Sequence, residues 1–539
     1  MKVFTHPVVL ALGTSTFYLL VLIAPLISPS HTAIYHFSGE PIVVFAPVLL
    51  YVFVFWLLLT GLFQWARNPG WPYLILWSIL ILSFPWRLLK NLFSLADRPL
   101  PHLLSIAAFL VPLFALIAIV IFRRPHVLPW FERTRHFVAT ILGFASLTGL
   151  VFLGQLLWFG WQARSLNHPR PLHSRHLATP AQTPKTRIIW ILLDELSYQQ
   201  VYEQRYPGLA LPAFDQLAAQ STVFTQVVPA GIYTERVLPS LISGMPVDRT
   251  YSSSSGQLSL HNSSTNEWQS FDQHQTVFQD ALNDGYSTAI AGWYNPYCRI
   301  MPQVLDQCFW TFNSANLGGM APSQSITENL LEPLRSERTS ILTLINRLHQ
   351  VHASDIQSFR LHKQDYDEIF AAADHLLGDR SANFILLHLP IPHPEAIYNR
   401  RTSTFTASNS SYIDSLALAD RYLAHVRTIL QQRGEWDSSA IVIMGDHSWR
   451  TKLMWSTGSA WTPEDQAASH GVQFDDRPAY IVKMPYQQQS IRISDRFDAV
   501  RTRALLDSIL DHQLRSSDDL SAWARQQSEA QPVSSKAGL

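Results

Sequence analysis

Ala440-Ile-Val-Ile-Met-Gly-Asp-His447 is an apolar, largely β-branched run that ends in glycine, a carboxylate and an imidazole. Such a run has the pattern of a strand buried on both faces, as in a parallel sheet. Ligands of open α/β sheets bind beyond the carboxyl ends of the strands. The reading therefore places Asp446 and His447 at a functional edge. Asp plus His is half of a ligand set for zinc or manganese. Taken alone, the pair reads more readily as a capping Asp beside a surface His. Three other strand-like runs end in a comparable way, which strengthens the metal reading.

The first is Arg187-Ile-Ile-Trp-Ile-Leu-Leu-Asp-Glu195, which ends in Asp194 and Glu195. The second, Gly285-Tyr-Ser-Thr-Ala-Ile-Ala-Gly-Trp293, carries a glycine at its tip. The third, Phe384-Ile-Leu-Leu-His-Leu-Pro-Ile-Pro-His-Pro394, runs into a proline-rigid turn. His388 reads as inward and structural, whereas a rigid turn could aim His393. Residues 222–228 and 477–485 read as further strands. Leu416, Ala419, Leu423, Val426 and Leu430 recur at helical steps over 412–432, and Gly434 suits the C-cap. Residues 328–377 alternate charged and apolar residues at helical spacing and read as scaffold. Alternating strands and helices predict an α/β domain with a central, mostly parallel sheet.

Tyr233-Thr-Glu-Arg-Val-Leu-Pro-Ser-Leu-Ile-Ser-Gly244 places a threonine before a short helical segment closed by glycine. A helix N-terminus offers unpaired N–H groups to a phosphate. By itself, Thr234 reads as a helix cap sooner than as a nucleophile. His470 lies in the loop after Asp446-His447. Cys298 and Cys308 are the only cysteines. In an oxidising compartment a local disulfide is the natural reading, and a metal pair the poorer one.

The chain has 539 residues, with 40 basic and 40 acidic side chains and 47% hydrophobic residues. A net charge of zero gives no electrostatic footprint for nucleic acid. The hydrophobic share is uneven, because the first third is far more apolar than the rest. Five membrane spans are predicted, at 8–27, 42–63, 73–88, 103–122 and 137–161, most with the ~20 apolar residues that cross a bilayer. Pro85 would kink the third, and Arg87 and Lys90 at its far end would snorkel or line a polar cavity. Trp71, Trp130 and Trp161 fit interfacial belts. Lys2, Arg67, Arg123, Arg124, Arg133 and Arg135 fall on one side of five spans. The N-terminus is then cytoplasmic, and everything after the fifth span lies outside. The expected organisation is a transmembrane domain over 1–162, a Pro- and His-rich linker over 163–186, a catalytic domain over 187–515 and a polar, fraying tail over 516–539. The expected location is the inner membrane, multi-pass, with the catalytic domain periplasmic.

Leu211-Pro-Ala-Phe-Asp-Gln-Leu-Ala-Ala-Gln220, the glycine-tyrosine strand at 285 and Gly445-Asp-His447 together resemble the sulfatase-like branch of the alkaline-phosphatase superfamily, over roughly residues 187–490. Five spans before such a domain resemble the lipid A phosphoethanolamine transferases and the lipoteichoic acid synthases. Thr234 before Leu238-Pro239 is similar to the threonine nucleophile of those groups. The resemblance implies that Asp194, Thr234, Asp446 and His447 hold one divalent metal, zinc or manganese. It implies that His393 and His470 bind the phosphate or a second metal. Those transferases usually have Glu where this chain has Asp194. A sulfatase needs Cys or Ser in a Cys-x-Pro-x-Arg setting, and this chain has Thr-Glu-Arg-Val there. The sulfatase Gly-Lys-Trp-His strand end is Ala291-Gly292-Trp293-Tyr294 here.

The resemblance implies transfer of a phospho-headgroup, of phosphoethanolamine or glycerophosphate type, from a membrane phospholipid through a phosphothreonine to an envelope glycan, lipid or similar acceptor. The alternative is a membrane-anchored hydrolase of phosphate or sulfate esters. A non-enzymatic scaffold is a third class, which the intact set at 194, 234, 446 and 447 argues against.

Overall fold

The computed structural model describes residues 5–27, 37, 39–95, 104, 107–108, 110–114, 127–164, 185–253, 257–315, 320–345, 353–407, 409–451, 462–469 and 475–529. The chain forms two compact units, one from 1–34, 40–165 and 316–335, the other from 35–39, 166–315 and 336–539.

The first unit contains helices α1 (Pro7–Ile27), α2 (Ile42–Trp65), α3 (Trp71–Leu95) and α4 (Val127–Ala163). Each holds a segment long and apolar enough to cross a membrane. Large apolar side chains such as Leu57, Leu58, Ile75, Ile79, Leu150 and Val151 point outward, as they do on helices whose solvent is hydrocarbon. The expected span at 103–122 falls mostly outside the described residues. The expected third span ends early, because α3 continues through Pro85 to Leu95. Arg87 is only 5% exposed, its guanidinium 5.9 Å from the Tyr18 ring. Asn91, one turn on, donates to the Phe17 carbonyl over 2.8 Å. The polar end of α3 therefore turns inward against α1.

The second unit holds, in chain order, β1 (Ile188–Leu193), α5 (Pro212–Ala218), β2 (Thr222–Val228), α6 (Thr234–Ser243), β3 (Val247–Ser252), β4 (Leu258–Asn262), β5 (Glu267–Ser270), α7 (Val277–Asn283), β6 (Thr288–Trp293) and β7 (Gln307–Thr311). Next come α8 (Ile326–Ile345), whose first half clusters with the first unit, and α9 (Ala353–Gly378). The rest are β8 (Phe384–Leu389), β9 (Tyr398–Asn399), β10 (Thr404–Phe405), α10 (Tyr412–Gln432), β11 (Ala440–Gly445), α11 (Pro463–Ala468), β12 (Tyr480–Lys483), β13 (Ile491–Asp498), α12 (Thr502–Leu510) and α13 (Ser517–Glu529).

One sheet runs β13-β2-β12-β11-β1-β8-β6-β7. Its pairs are parallel except that β12 is antiparallel to both neighbours. Strand β1 is buried at every position because alternate side chains enter two cores. Ile189, Ile191 and Leu193 meet Phe214, Ile369, Leu416 and Leu423 on one face. Ile188, Trp190 and Leu192 meet Leu238, Phe278 and Leu505 on the other. Each such side chain contributes roughly 1.5–3 kcal/mol, so the six apolar positions of β1 pin it to the centre. Residues 247–270, for which no strand is predicted, form the separate antiparallel sheet β3-β4-β5.

The expected fraying after 516 is corrected by α13. Leu520 and Ala524 are buried in the second core with Trp523 packed beside them, and Asp519 accepts from the N–H groups of Arg515 and Ser516. An apolar face at helical spacing outweighs the polar composition.

Candidate functional site

β1 and β11 pair in parallel register, with Leu193 opposite Gly445. The next residues, Asp194 and Asp446, therefore leave the sheet side by side at its carboxyl edge. Gly445 permits this crowding, because a Cβ there would lie 2.6 Å from the Leu196 carbonyl oxygen. Asp446 Oδ1 accepts from the N–H groups of Glu195 and His447 over 2.9 and 2.8 Å. That leaves Oδ2 turned toward Thr234, the first residue of α6. The Thr234 hydroxyl donates to Asp446 Oδ2 over 2.8 Å and approaches Asp194 Oδ2 at 3.5 Å. His447 Nε2 lies 3.2 Å from Asp446 Oδ2. Thus Asp194, Thr234, Asp446 and His447, read from three separate stretches, meet in one buried cluster.

β8 brings His388 to the same place, where Nε2 stands 3.9 Å from Asp194 Oδ2. The Tyr297 hydroxyl hydrogen-bonds Nδ1 of His388 at 2.7 Å. Tyr297 reaches it over Gly292, where a Cβ would sit 2.3 Å from the tyrosine ring. His388 therefore belongs to the site rather than only to the core. His393 stands in the following turn, its ring 5.3 Å from that of Trp293. Its Nδ1–H donates to the Pro394 carbonyl at 2.7 Å, so Nε2 is left as an acceptor. His470 lies outside the described residues.

Glu195 has a left-handed backbone, φ 63°, an unfavourable conformation for a side chain of this size. It is held there from several sides. Its carbonyl accepts from the Tyr412 hydroxyl over 2.7 Å. Its carboxylate receives Arg450 Nε at 2.7 Å, Arg450 Nη2, and the Arg450 backbone N–H at 3.1 Å. Tyr412 is fixed in turn, because it opens α10 behind a Ser411–Asp414 capping box and stacks on Trp449 at 4.2 Å. On the rim, Tyr294 donates to Glu235 over 3.1 Å.

Burial, then the neighbouring Asp446 and Glu195 charges, push the Asp194 carboxyl well above the usual range. Burial would also raise Glu195, but Arg450, His393 and His447 outweigh it and hold it below its ordinary value. Burial lowers His388 to about 4 and His447 to about 3, so both rings are neutral and able to donate a lone pair near neutral pH.

These residues fit a divalent cation. Asp194, Glu195 and His447 each offer a ligand atom within 4.8 Å of the others. Among the described residues, Asp194 Oδ1, His388 Nε2 and His447 Nε2 are buried without a hydrogen-bond partner, an arrangement that costs free energy unless something binds there. Carboxylate oxygen and imidazole nitrogen are the donors zinc and manganese take.

The family model described as Sulfatase matches residues 186–486. The chain belongs to the sulfatase family. Solved structures similar to this sulfatase-family chain include a lipoteichoic acid synthase, LtaP, from Listeria monocytogenes, 12% identical, over 62% of this chain and 75% of that one, TM-score 0.35. Another is a phosphonate monoester hydrolase of Agrobacterium radiobacter, 12% identical, over 61% and 74%, TM-score 0.36. A third is a protein in the alkaline phosphatase superfamily from Vibrio parahaemolyticus, 13% identical, over 64% and 69%, TM-score 0.36. No curated protein matches the chain.

Arg450, Tyr412 and Tyr297 were not singled out by sequence reasoning. Tyr412 read only as the start of a helix. Arg450 carries one local signal, a basic residue three positions after His447 in a strand-end loop.

Proposed function

We propose that this sulfatase-family chain is a membrane-bound, metal-dependent transferase that moves the phospho-headgroup of a phospholipid to an extracytoplasmic acceptor through a phosphothreonine at Thr234. The observation that supports it most is the Thr234 hydroxyl, 2.8 Å from Asp446 Oδ2 at the opening of a ten-residue helix. Asp194, Asp446 and His447, with the Thr234 oxygen, would hold the ion. A divalent cation there supplies positive charge that makes a hydroxyl more acidic. Thr234 Oγ1 forms the new bond to phosphorus, and the phosphorus–oxygen bond to diacylglycerol breaks. The proton lost by Thr234 Oγ1 passes through Asp446 Oδ2 and ends on the leaving diacylglycerol oxygen. The N-terminus of α6, with Thr234 as its first residue, would offer main-chain N–H groups and a positive dipole end to the charge on the phosphoryl oxygens. In the second half, His393 Nε2 accepts the proton of the attacking acceptor hydroxyl, the phosphorus–Oγ1 bond breaks, and that proton is returned to Oγ1 to restore the Thr234 hydroxyl.

The test is to incubate detergent-solubilised protein with fluorescent phosphatidylethanolamine or phosphatidylglycerol. Diacylglycerol should appear, and acid-quenched protein should carry the headgroup mass on the Thr234 peptide. Thr234→Ala should abolish both. Intact phospholipid alongside cleavage of soluble phosphate or sulfate esters would replace transfer with hydrolysis.

A further inference from the structure

Glu195 lies among the atoms able to surround a cation, yet its carboxylate is already committed. Oε1 takes Arg450 Nε and Nη2, and Oε2 takes the Arg450 backbone N–H. Its main chain is pinned too, by Asp446 Oδ1 at the N–H and by the Tyr412 hydroxyl at the carbonyl. A carboxylate used in this way orients a guanidinium, since two of its nitrogens share one oxygen while the other oxygen holds the Arg450 backbone.

Arg450 itself lies near His393 and near the residue that precedes Thr234. Its Nη2 is 3.4 Å from His393 Nε2, and its guanidinium carbon is 6.0 Å from the ring of Tyr233, the residue before Thr234. The side chain is 18% exposed. Among the described residues Nη1 makes no hydrogen bond, whereas Nε and Nη2 are taken by Glu195 and His393.

We infer that Glu195 is not a metal ligand but the holder of Arg450, and that Arg450 Nη1 clamps a non-bridging oxygen of the anionic group brought to Thr234. The inference rests on the reading that Thr234 receives such a group. It divides the strand-tip carboxylates by task, with Asp194 and Asp446 for the cation and Glu195 for the guanidinium. It also gives Arg450 an effect at the ground state, because the clamp acts on the bound anion whether or not a bond to Thr234 follows.

The test uses the full chain in detergent, loaded with zinc or manganese, and inorganic phosphate as ligand. Wild type should bind phosphate by calorimetry. Arg450→Ala should bind it at least tenfold more weakly, and added guanidinium ion should restore part of the loss. Glu195→Gln should weaken phosphate as Arg450→Ala does, yet retain the wild-type metal content by elemental analysis. In wild type itself, phosphate should protect the Arg450 peptide from phenylglyoxal, a readout that needs no variant to fold. Three results overturn the inference: loss of metal from Glu195→Gln comparable to that from Asp446→Asn, wild-type phosphate affinity in Arg450→Ala, or no protection of Arg450. Phosphate binding is read without any lipid, so failure of phospholipid turnover would count against the proposed reaction alone.

Discussion

Thr234 and Asp446 are 212 positions apart in the chain, yet the Thr234 hydroxyl donates to Asp446 Oδ2 over 2.8 Å. The other oxygen of Asp446 is occupied by two backbone N–H groups, so Oδ2 is the atom aimed at the threonine and at any cation beside it. Replacing Asp446 with Asn keeps the shape and removes the charge. Asp446→Asn is expected to lower metal content to background and headgroup transfer by at least about a thousandfold, the scale on which acting members of a catalytic unit fall. His393→Ala should leave the metal in place. Metal content equal to wild type in an Asp194→Ala, Asp446→Asn double variant would remove the metal site from the account.

The pH dependence of metal uptake follows from Asp194. Its carboxyl is raised by burial and by Asp446 and Glu195, so a proton competes with the cation for it. Zinc affinity should therefore fall as pH falls, with proton release on binding seen as a dependence of the calorimetric heat on buffer ionisation. The sign for stability is the reverse of a salt-bridged aspartate. A folded pKa above the unfolded value of about 3.9 favours folding at low pH. That contribution is lost as pH rises through the folded pKa. Chelator-treated protein should therefore lose thermal stability from this group as pH rises, and metal-loaded protein should not.

Gly292 is predicted to tolerate no side chain. A Cβ there would lie 2.3 Å from the Tyr297 ring, and Tyr297 is what fixes His388 Nδ1. Gly292→Ala should destabilise by about 1–3 kcal/mol, the usual cost of overpacking a core, and should lower activity by moving His388. Tyr297→Phe isolates the second effect, leaving Nδ1 without its partner at about 1–3 kcal/mol. Denaturant midpoints read both, and an unshifted Gly292→Ala midpoint would contradict the crowding.

Cys298 and Cys308 are joined, with Cα atoms 5.6 Å apart. Closing so short a loop stabilises by about 2–3 kcal/mol in the chain-entropy account. Mass spectrometry without reductant should find one linked peptide pair, and reduction should lower the melting temperature. Two freely alkylated thiols in protein from its native compartment would contradict the bond and the oxidising location it goes with.

The topology prediction concerns the side of the membrane. With five spans, the basic residues of the predicted loops lead to the expectation that the N-terminus is cytoplasmic and the sulfatase-family domain outside. A reporter active only outside the cytoplasm, fused after Lys185, should be active. Activity of a cytoplasmic reporter at the same position, with silence of the first, would reverse the orientation.

Legibility differed between parts of the chain for physical reasons. The buried strands could be read because a strand between two cores must be apolar at every position, as 188–193 and 440–445 are. The strand tips could be read because acids and a histidine that break such runs stand out. The antiparallel direction of β12 could not, since a buried strand has the same composition in either direction. The helix at 517–529 was hidden by its polar residues, with Leu520 and Ala524 supplying the only buried positions.

The sequence by itself determined the apolar helices of the first third, the parallel-sheet core and the acidic and histidine residues at the tips of the strands ending at 193 and 445, because periodicity and the residues at strand ends are local properties; Thr234 joined them only through the resemblance. Only the tertiary structure decided that His388 faces Asp194, that Tyr297 and Tyr412 hold the site from behind, and that Arg450 takes the Glu195 carboxylate. Those are contacts between side chains 91 to 255 residues apart. They are set by strand register and by the close backbone approaches at Gly292 and Gly445, and neither leaves a mark on composition or spacing.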